Sequence, residues 1–531
     1  MDGNNTVADQ IDPLVVVSTR PESAAPTRAA GKVCDLLVVG HGAVVIEAVR
    51  AAIQQPARVV LIQQPDPPEG VAIEPADFLQ ALTQVDRQLG PGLRSARSEA
   101  SPGGAAPAAA DRRGAEIAAA LQRSRHPAAR SALSAAAEQW TRQGGELLRG
   151  PATFTGPQTL VVGDRELRFR RAIIAPGHRP EPPEYALSDD SRPLTEETLD
   201  RWKQVPERLA VFGGSVKACQ WAQIFRRLGS EVHLIDRGHA LAAEEDPQVA
   251  SILENQLRQD QVRMHLGCQD LSIQPLRRRK VIVIARADGK EKLMVDELFC
   301  CGPKRLNVAG WGLDAAGVGR SERAIAIDSA LRTTNPRIFA VGAACGPRFA
   351  SPAAVEMMAR AAVGNALGRV EQLWPRRLDW HLLPRCLYQR PQIVQLGLTH
   401  HEIAARGNEL DTYRQVVAAA EHSAGEEAWS EFIEVVVDRF SGRVASVTAV
   451  ANTVEPWIAP LLVMIHNRLA LDAVADVVPC GPSRLELLRR IVDRYRADRR
   501  ARFGGGWKGA VRARAARLTH AAAAWMAARG V

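Results

Sequence analysis

Two stretches of the chain carry the same alternation of apolar and polar positions. LLVVGHGAVV (36–45) is an apolar, β-rich run that closes on glycine, passes into a segment of helical period and returns through ARVVLIQ (57–63). LAVFGGSVKA (209–218) does the same and returns through SEVHLID (230–236). Gly40 to Gln63 is 63 − 40 = 23 positions, and Gly213 to Asp236 is 236 − 213 = 23. Equal spans of strand, helix and strand predict two Rossmann-like nucleotide-binding units in an α/β fold.

The rest of the pattern fits around these units. Strands are predicted at Thr159–Val162, Glu166–Phe169, Ala172–Ile174, Val281–Ala285 and Glu297–Cys301, and residues 114–148 read as helical. From about Leu382, strands at Ile393–Leu396, Phe432–Asp438 and Ala445–Val450 mix with helices, which predicts a separate α+β domain. Residues 1–32 read as a loose segment and 91–112 as a low-complexity loop.

Composition narrows the class. A chain of 531 residues, 46% hydrophobic and 24% charged, reads as a soluble globular protein of several domains. With no bilayer-length apolar run and no signal-like start, a cytoplasmic location is expected. The cysteines Cys34, Cys219, Cys268, Cys300, Cys301, Cys345, Cys386 and Cys480 form no C-x-x-C or C-x-x-x-x-C pair, which argues against a zinc site or disulfide framework. They read as small buried hydrophobes, with soft-metal binding by the vicinal Cys300–Cys301 as the alternative. The net charge of +9 is concentrated in the tail: residues 489–531 hold 12 Arg and Lys against Asp493 and Asp498, or +10, leaving −1 elsewhere.

A dinucleotide fingerprint needs glycine for the turn out of the strand, a second small residue where backbone meets pyrophosphate, and a third where helix meets strand. The first unit has Gly40 and Gly42, but Val45 takes the third position and neutral Gln63 the ribose-acid position, with Asp66 three residues further on. It reads as a unit that keeps its fold and binds nucleotide poorly. The second has Gly213, Gly214, Ser215 and Ala218, with Asp236 at the ribose position. Asp236 favours NAD, the adjacent Arg237 leaves NADP open, and the alternative is small residues kept for packing alone.

These residues carry a resemblance to the flavin- and nicotinamide-dependent disulfide oxidoreductases, the pyridine nucleotide-disulfide family that includes mercuric reductase and dihydrolipoyl dehydrogenase. PERLAVFGGSVKACQWAQIFRRLGSEVHLIDR (206–237) resembles the opening of the nicotinamide domain in the mercuric reductase branch. IIAPGHRP with Gly177, LRTTNPRIFAVGAACG with Gly342, and LPRCLYQRPQIVQLGLTHHEIAARG resemble three further motifs, in the family's order. The resemblance implies a discontinuous FAD-type domain (33–184 and 306–375), an NAD(P)-type domain (185–305) and an α+β dimerisation domain (380–488). It also implies a homodimer, FAD held at Gly40, Gly42, Gly177 and Gly342, and a hydride relay from nicotinamide through flavin to a cysteine pair. The apolar FIEVVVD and PWIAPLLVMI segments suit the interface of such a dimer.

The relay's residues are missing. EGVAIEPADFLQAL (69–82) stands where the resemblance places the cysteine pair, with Asp77 for a lysine, and no cysteine lies between Cys34 and Cys219. Ala343 replaces the flavin-binding aspartate, Gln220 a glutamate, and Cys480 or Gly481 falls at the C-terminal histidine, with Glu486 kept. A divergent member that has lost disulfide or Hg(II) reduction and still binds a nicotinamide nucleotide, with no catalytic residue or metal site of its own, is therefore expected. Its FAD site is degraded on this reading. The alternatives are a non-catalytic dimeric scaffold or nucleotide sensor tethered by its tail, and a flavoprotein reducing a diffusible carrier or quinone.

In the tail, 489–531, Val511, Ala515, Leu518, Ala522 and Trp525 form one helical stripe flanked by Lys508, Arg512 and Arg517. Such a helix suits an anionic membrane surface, including the face of the inner membrane, an acidic protein partner, or docking on the chain's own dimer. Aromatic residues are not interleaved as stacking platforms, so no nucleic-acid binding is expected.

Overall fold

The computed structural model describes residues 33–40, 43–52, 57–64, 138–142, 145–181, 193–199, 205–417, 431–477 and 485–518, apart from positions 197, 278, 287, 288, 303, 506, 507, 510, 513 and 517. The first unit is β1 (Cys34–Gly40), α1 (Ala43–Ala52) and β2 (Val59–Gln63). Then come β3 (Glu146–Arg149), β4 (Ala152–Gly156), β5 (Thr159–Val162), β6 (Arg165–Ala175) and β7 (His178–Pro180). The C-terminal half of β6 lies parallel to β1, and its N-terminal half turns back antiparallel on β5, so one long strand replaces the two predicted. β3 runs parallel to β2, where the sequence predicted the end of a helix. ELLR has no β-branched residue to announce a strand, so its place on the sheet edge is set by tertiary context.

The second unit is β8 (Arg208–Phe212), α2 (Val216–Arg227) and β9 (Glu231–Ile235), followed by α3 (Pro247–Gln259) and β10 (Arg263–His265). A meander of β11 (Asp270–Leu276), β12 (Arg279–Arg286) and β13 (Gly289–Val295) leads to β14 (Glu297–Cys300), giving a parallel sheet in the order β10-β9-β8-β14. One face packs under Trp221, Phe225 and Phe299, and the other under Ile282, Ile284 and Leu293. The chain re-enters the first sheet through β15 (Lys304–Leu306), paired with β7, and β16 (Ile338–Ala340), parallel to β6. α4 (Pro352–Leu367), capped by Ser351, covers that sheet, and α5 (Arg369–Leu373) follows.

The final domain is an antiparallel sheet of β17 (Arg385–Leu387), β18 (Gln392–Gly397), β19 (Leu410–Val416), β20 (Phe432–Asp438) and β21 (Val444–Ala451), ordered β17-β18-β21-β20-β19. α6 (His400–Arg406) begins with a capping box between Thr399 and Glu402. α7 (Glu455–His466) and α8 (Leu485–Phe503) cover the sheet. Ile491, Val492 and Tyr495 of α8 are buried in this core, so a division between 488 and 489 cuts a continuous helix. The apolar residues of FIEVVVD are likewise buried within the chain, as are Trp457, Ile458, Leu461 and Met464 of PWIAPLLVMI, whereas Val463 is exposed. Among the described residues, no helix is long and apolar enough to cross a membrane.

Candidate functional site

The second unit brings its predicted residues together. The turn out of β8 uses Gly213 at φ +121°, a conformation that favours glycine, and its amide donates to the Ile235 carbonyl at 2.9 Å. A side chain on Gly213 would come within 3.1 Å of the Cys301 carbonyl. Ser215 is the N-cap of α2, its hydroxyl accepting from the Ala218 amide at 3.3 Å. Ala218 is fully buried against the sheet, where a larger residue would push helix from strand. Asp236 leaves the end of β9 and accepts from the Gly238 amide at 2.8 Å. Its carboxylate lies over the turn: a Cβ on Gly214 would approach Asp236 Oδ2 to 2.6 Å. A helix N-terminus, a close-approach turn and an acid at the next strand end are thus grouped at the carboxyl ends of the adjacent strands β8 and β9, as an adenine dinucleotide requires.

A charged cluster beside this turn escaped the sequence reading. Glu196, in the segment entering the unit, is only 2% exposed. It accepts from Lys304 Nζ at 2.6 Å, Lys217 Nζ at 3.3 Å and Trp221 Nε1 at 3.2 Å. Burial alone would raise its carboxyl, but the two ammonium groups outweigh burial and hold it below the usual carboxylate range. The cluster fixes the first turn of α2 to the strand that returns to the first domain. Nothing local in LTEETLD marks Glu196. Lys217 and Trp221, one turn apart on a helix, were the available signal.

A second buried pair lies on the meander side of β9. His233 Nδ1 and His265 Nε2 are 3.0 Å apart, with Glu291 and Arg286 at His265 and Glu231 beside His233. Burial, and then the neighbouring imidazole, lowers the His233 pKa; burial first lowers that of His265, with Glu291 opposing.

The first unit places its residues differently. Gly40 sits where a Cβ would meet the Ala175 carbonyl at 2.6 Å, so this glycine serves strand packing. Val45 is buried in the core of the first domain. Gln63 ends β2, and the next residue, Gln64, turns inward: Nε2 donates to the Ala152 carbonyl at 3.1 Å and Oε1 accepts from the Ala152 amide at 3.2 Å. Gly177 and Gly342 both have positive φ, +68° and +77°, at the turns after β6 and β16. Ala343 is the second residue of the short turn after β16 and supplies no polar side chain there. Gly42, Asp77, the 69–82 segment, Cys480 and Gly481 lie outside the described residues.

Burial disfavours the thiolate form in six of the seven described cysteines. Burial raises Cys34 to about 11 and Cys219 to about 12, and also raises Cys268, Cys301, Cys345 and Cys386. Cys300 packs against the meander, whereas Cys301 packs against the Trp221 face, so neighbours in sequence point to opposite sides of the sheet. The soft-metal alternative for this pair therefore has no geometric basis. Among the described residues, no group of three or more His, Cys, Asp or Glu could hold a metal ion.

The family model described as pyridine nucleotide-disulphide oxidoreductase matches residues 34–364, and that of the corresponding dimerisation domain matches 383–490. The chain is 27% identical over 339 residues to a mercuric reductase of Streptomyces lividans, covering 62% of this chain and 70% of that protein. It is 30% identical over 345 residues to a mercuric reductase of Acidithiobacillus ferrooxidans, covering 62% of this chain and 59% of that one. Among solved structures it is similar in fold to LpdA of Mycobacterium tuberculosis, with a TM-score of 0.69 at 19% identity, covering 86% of this chain and 99% of that chain.

Proposed function

Because this chain belongs to the pyridine nucleotide-disulphide oxidoreductase family, we propose that it is a member that binds a nicotinamide nucleotide but no longer reduces disulfides or Hg(II). The observation that carries this reading is the contrast between its two nucleotide units. The second offers Gly213, Gly214, Ser215, Ala218 and Asp236 together at the carboxyl ends of β8 and β9, with the acid already oriented by Gly238. Asp236 would hold the ribose hydroxyls, and the N-terminus of α2 the pyrophosphate.

The FAD that the family implies does not fit the first unit. Val45 puts a branched side chain where the helix meets the strand, Gln63 has no charge for a ribose, and Ala343 offers no side-chain polar group after β16. No cysteine between Cys34 and Cys219 supplies the couple that a disulfide reaction requires. No step is therefore assigned to flavin. The match to the dimerisation-domain model supports a homodimer. The domain limits 33–184 with 306–375, 185–305 and 380–488 remain part of this proposal, with α8 carrying the last domain to 503.

A second reading, a tethered scaffold or sensor, draws on the exposure of Val511 and Leu518, 57% and 68%, on the helical stretch after Gly504–Gly505 beside Lys508 and Arg512. An anionic membrane surface, such as that of the inner membrane, or an acidic protein would complement it.

The test is thermal unfolding of the purified full chain with and without NADH, alongside flavin release by heat. Saturation at about 100 times Kd should add about 2.7 kcal/mol of stability, without released flavin. Stoichiometric flavin in the supernatant would instead favour a flavoprotein with a diffusible carrier or quinone as acceptor.

A further inference from the structure

We infer that Gln64 substitutes for an adenine base, its side-chain amide filling from within the chain the base subsite that the first β-α-β unit would otherwise offer. The inference rests on the proposed loss of flavin binding and gives it a mechanism. In a dinucleotide fold the ribose lies at the end of the second strand, so the base on that ribose must sit just beyond it. The end of β2 is Gln63, and the residue just beyond is Gln64, which is 7% exposed.

The Gln64 side chain bonds both polar groups of one backbone unit, the Ala152 amide and carbonyl, at 3.2 and 3.1 Å. In an extended strand these two groups point the same way and form a donor–acceptor edge. Adenine reads such an edge with its amino group as donor and an adjacent ring nitrogen as acceptor, and a primary amide presents the same pair. One edge cannot serve both. The backbone fixes the amide in place: the Gln64 amide donates to the Gly40 carbonyl at 3.1 Å, and the Gly150 amide to the Gln63 carbonyl at 3.2 Å.

The second unit is an internal control. Arg237 stands there in the same position, 237 − 213 = 24 residues after its first glycine, as Gln64 does at 64 − 40 = 24, and Arg237 is exposed. One strand end is open and the other is closed by its own side chain.

The experiment is calorimetric titration of the full chain with ADP, comparing Gln63→Glu, which returns an acid to the ribose position, with Gln63→Glu/Gln64→Ala. The double variant should bind one more ADP per chain than Gln63→Glu while keeping the wild-type affinity for NADH. Gln64→Asn in the same background, one methylene shorter and unable to span both groups, repeats the test should the alanine variant fold poorly. An unchanged stoichiometry in a variant that keeps its NADH affinity overturns the inference, as would a wild type that already fills both units. Flavin measured on the same wild-type preparation judges the parent proposal separately: flavin without ADP gain removes both, and no flavin without ADP gain removes only the role of Gln64.

Discussion

Glu196→Gln is the substitution whose consequence follows most directly from the geometry. It removes one negative charge from a carboxylate 2% exposed and leaves Lys217 and Lys304 facing a neutral amide. Breaking a buried ion pair by deleting one partner costs about 3–5 kcal/mol. The lysine side chains are 29% and 32% exposed and can turn to water, so the lower end, about 3 kcal/mol, is appropriate. For a domain of this size that corresponds to a fall in melting temperature of about 10 °C. Since folding lowers the Glu196 pKa, its stabilisation is complete above the ordinary glutamate value of 4.5 and disappears as pH falls through the lower folded value. The difference between wild type and variant should therefore be full at neutral pH and shrink in acid. Urea unfolding followed through Trp221 and the other tryptophans, repeated across this pH range, measures both. Lys304→Met in the Glu196→Gln background should recover part of the loss by removing one of the two ammonium groups that face the neutral amide. A neutral-pH loss below about 1 kcal/mol, or one independent of pH, would refute the assignment of a buried triad.

Gly214→Ala should weaken NADH binding about tenfold, or about 1.4 kcal/mol, because the added Cβ displaces the Asp236 carboxylate; quenching or enhancement of bound-NADH fluorescence reports it. The His233–His265 pair should make the protein sensitive to mild acid. Folding keeps both imidazoles neutral below their ordinary 6.5, so stability is full above that pH and falls beneath it, by up to about 1.4 kcal/mol per pH unit for each group. Half-buried His178 has the same sign, whereas His381, raised between Glu402 and Asp379, opposes them, so His233→Gln should flatten rather than abolish the slope seen in urea titrations. Asp411→Asn loses its bonds to Arg439 at 2.9 Å and Arg502 at 2.6 Å; partial exposure limits the cost to about 1 kcal/mol, but tryptic cleavage near the end of α8 should accelerate.

The two nucleotide units were legible because their signals are local: glycine at a strand end, a helical period, and an acid or its absence 23 residues on. Gly213, Ser215 and Asp236 lie within that span, and the structure groups them. Glu196 was not legible, because it meets Lys304 across 108 positions of chain and no periodicity encodes that pairing. Gln64 was hidden for the same reason, since Ala152 is 88 positions away. The limit of the last domain was a different case. Leu488, Ile491, Val492 and Tyr495 recur at helical spacing, but the dense arginines around them suggested a free basic tail, although Arg496 and Arg502 are paired with Asp472 and Asp411. Charge density at a helix surface says little about what its other face buries.

The central claim is that a nicotinamide nucleotide binds to a scaffold that has lost its flavin. Absorption spectra test it: full-length protein is incubated in air with excess FAD in one sample and with excess NADH in another, each is passed through a desalting column and scanned, so that any bound flavin stays oxidised and visible. A retained near-ultraviolet band of NADH with no visible flavin band is the predicted result; a flavin band at one per chain would contradict it.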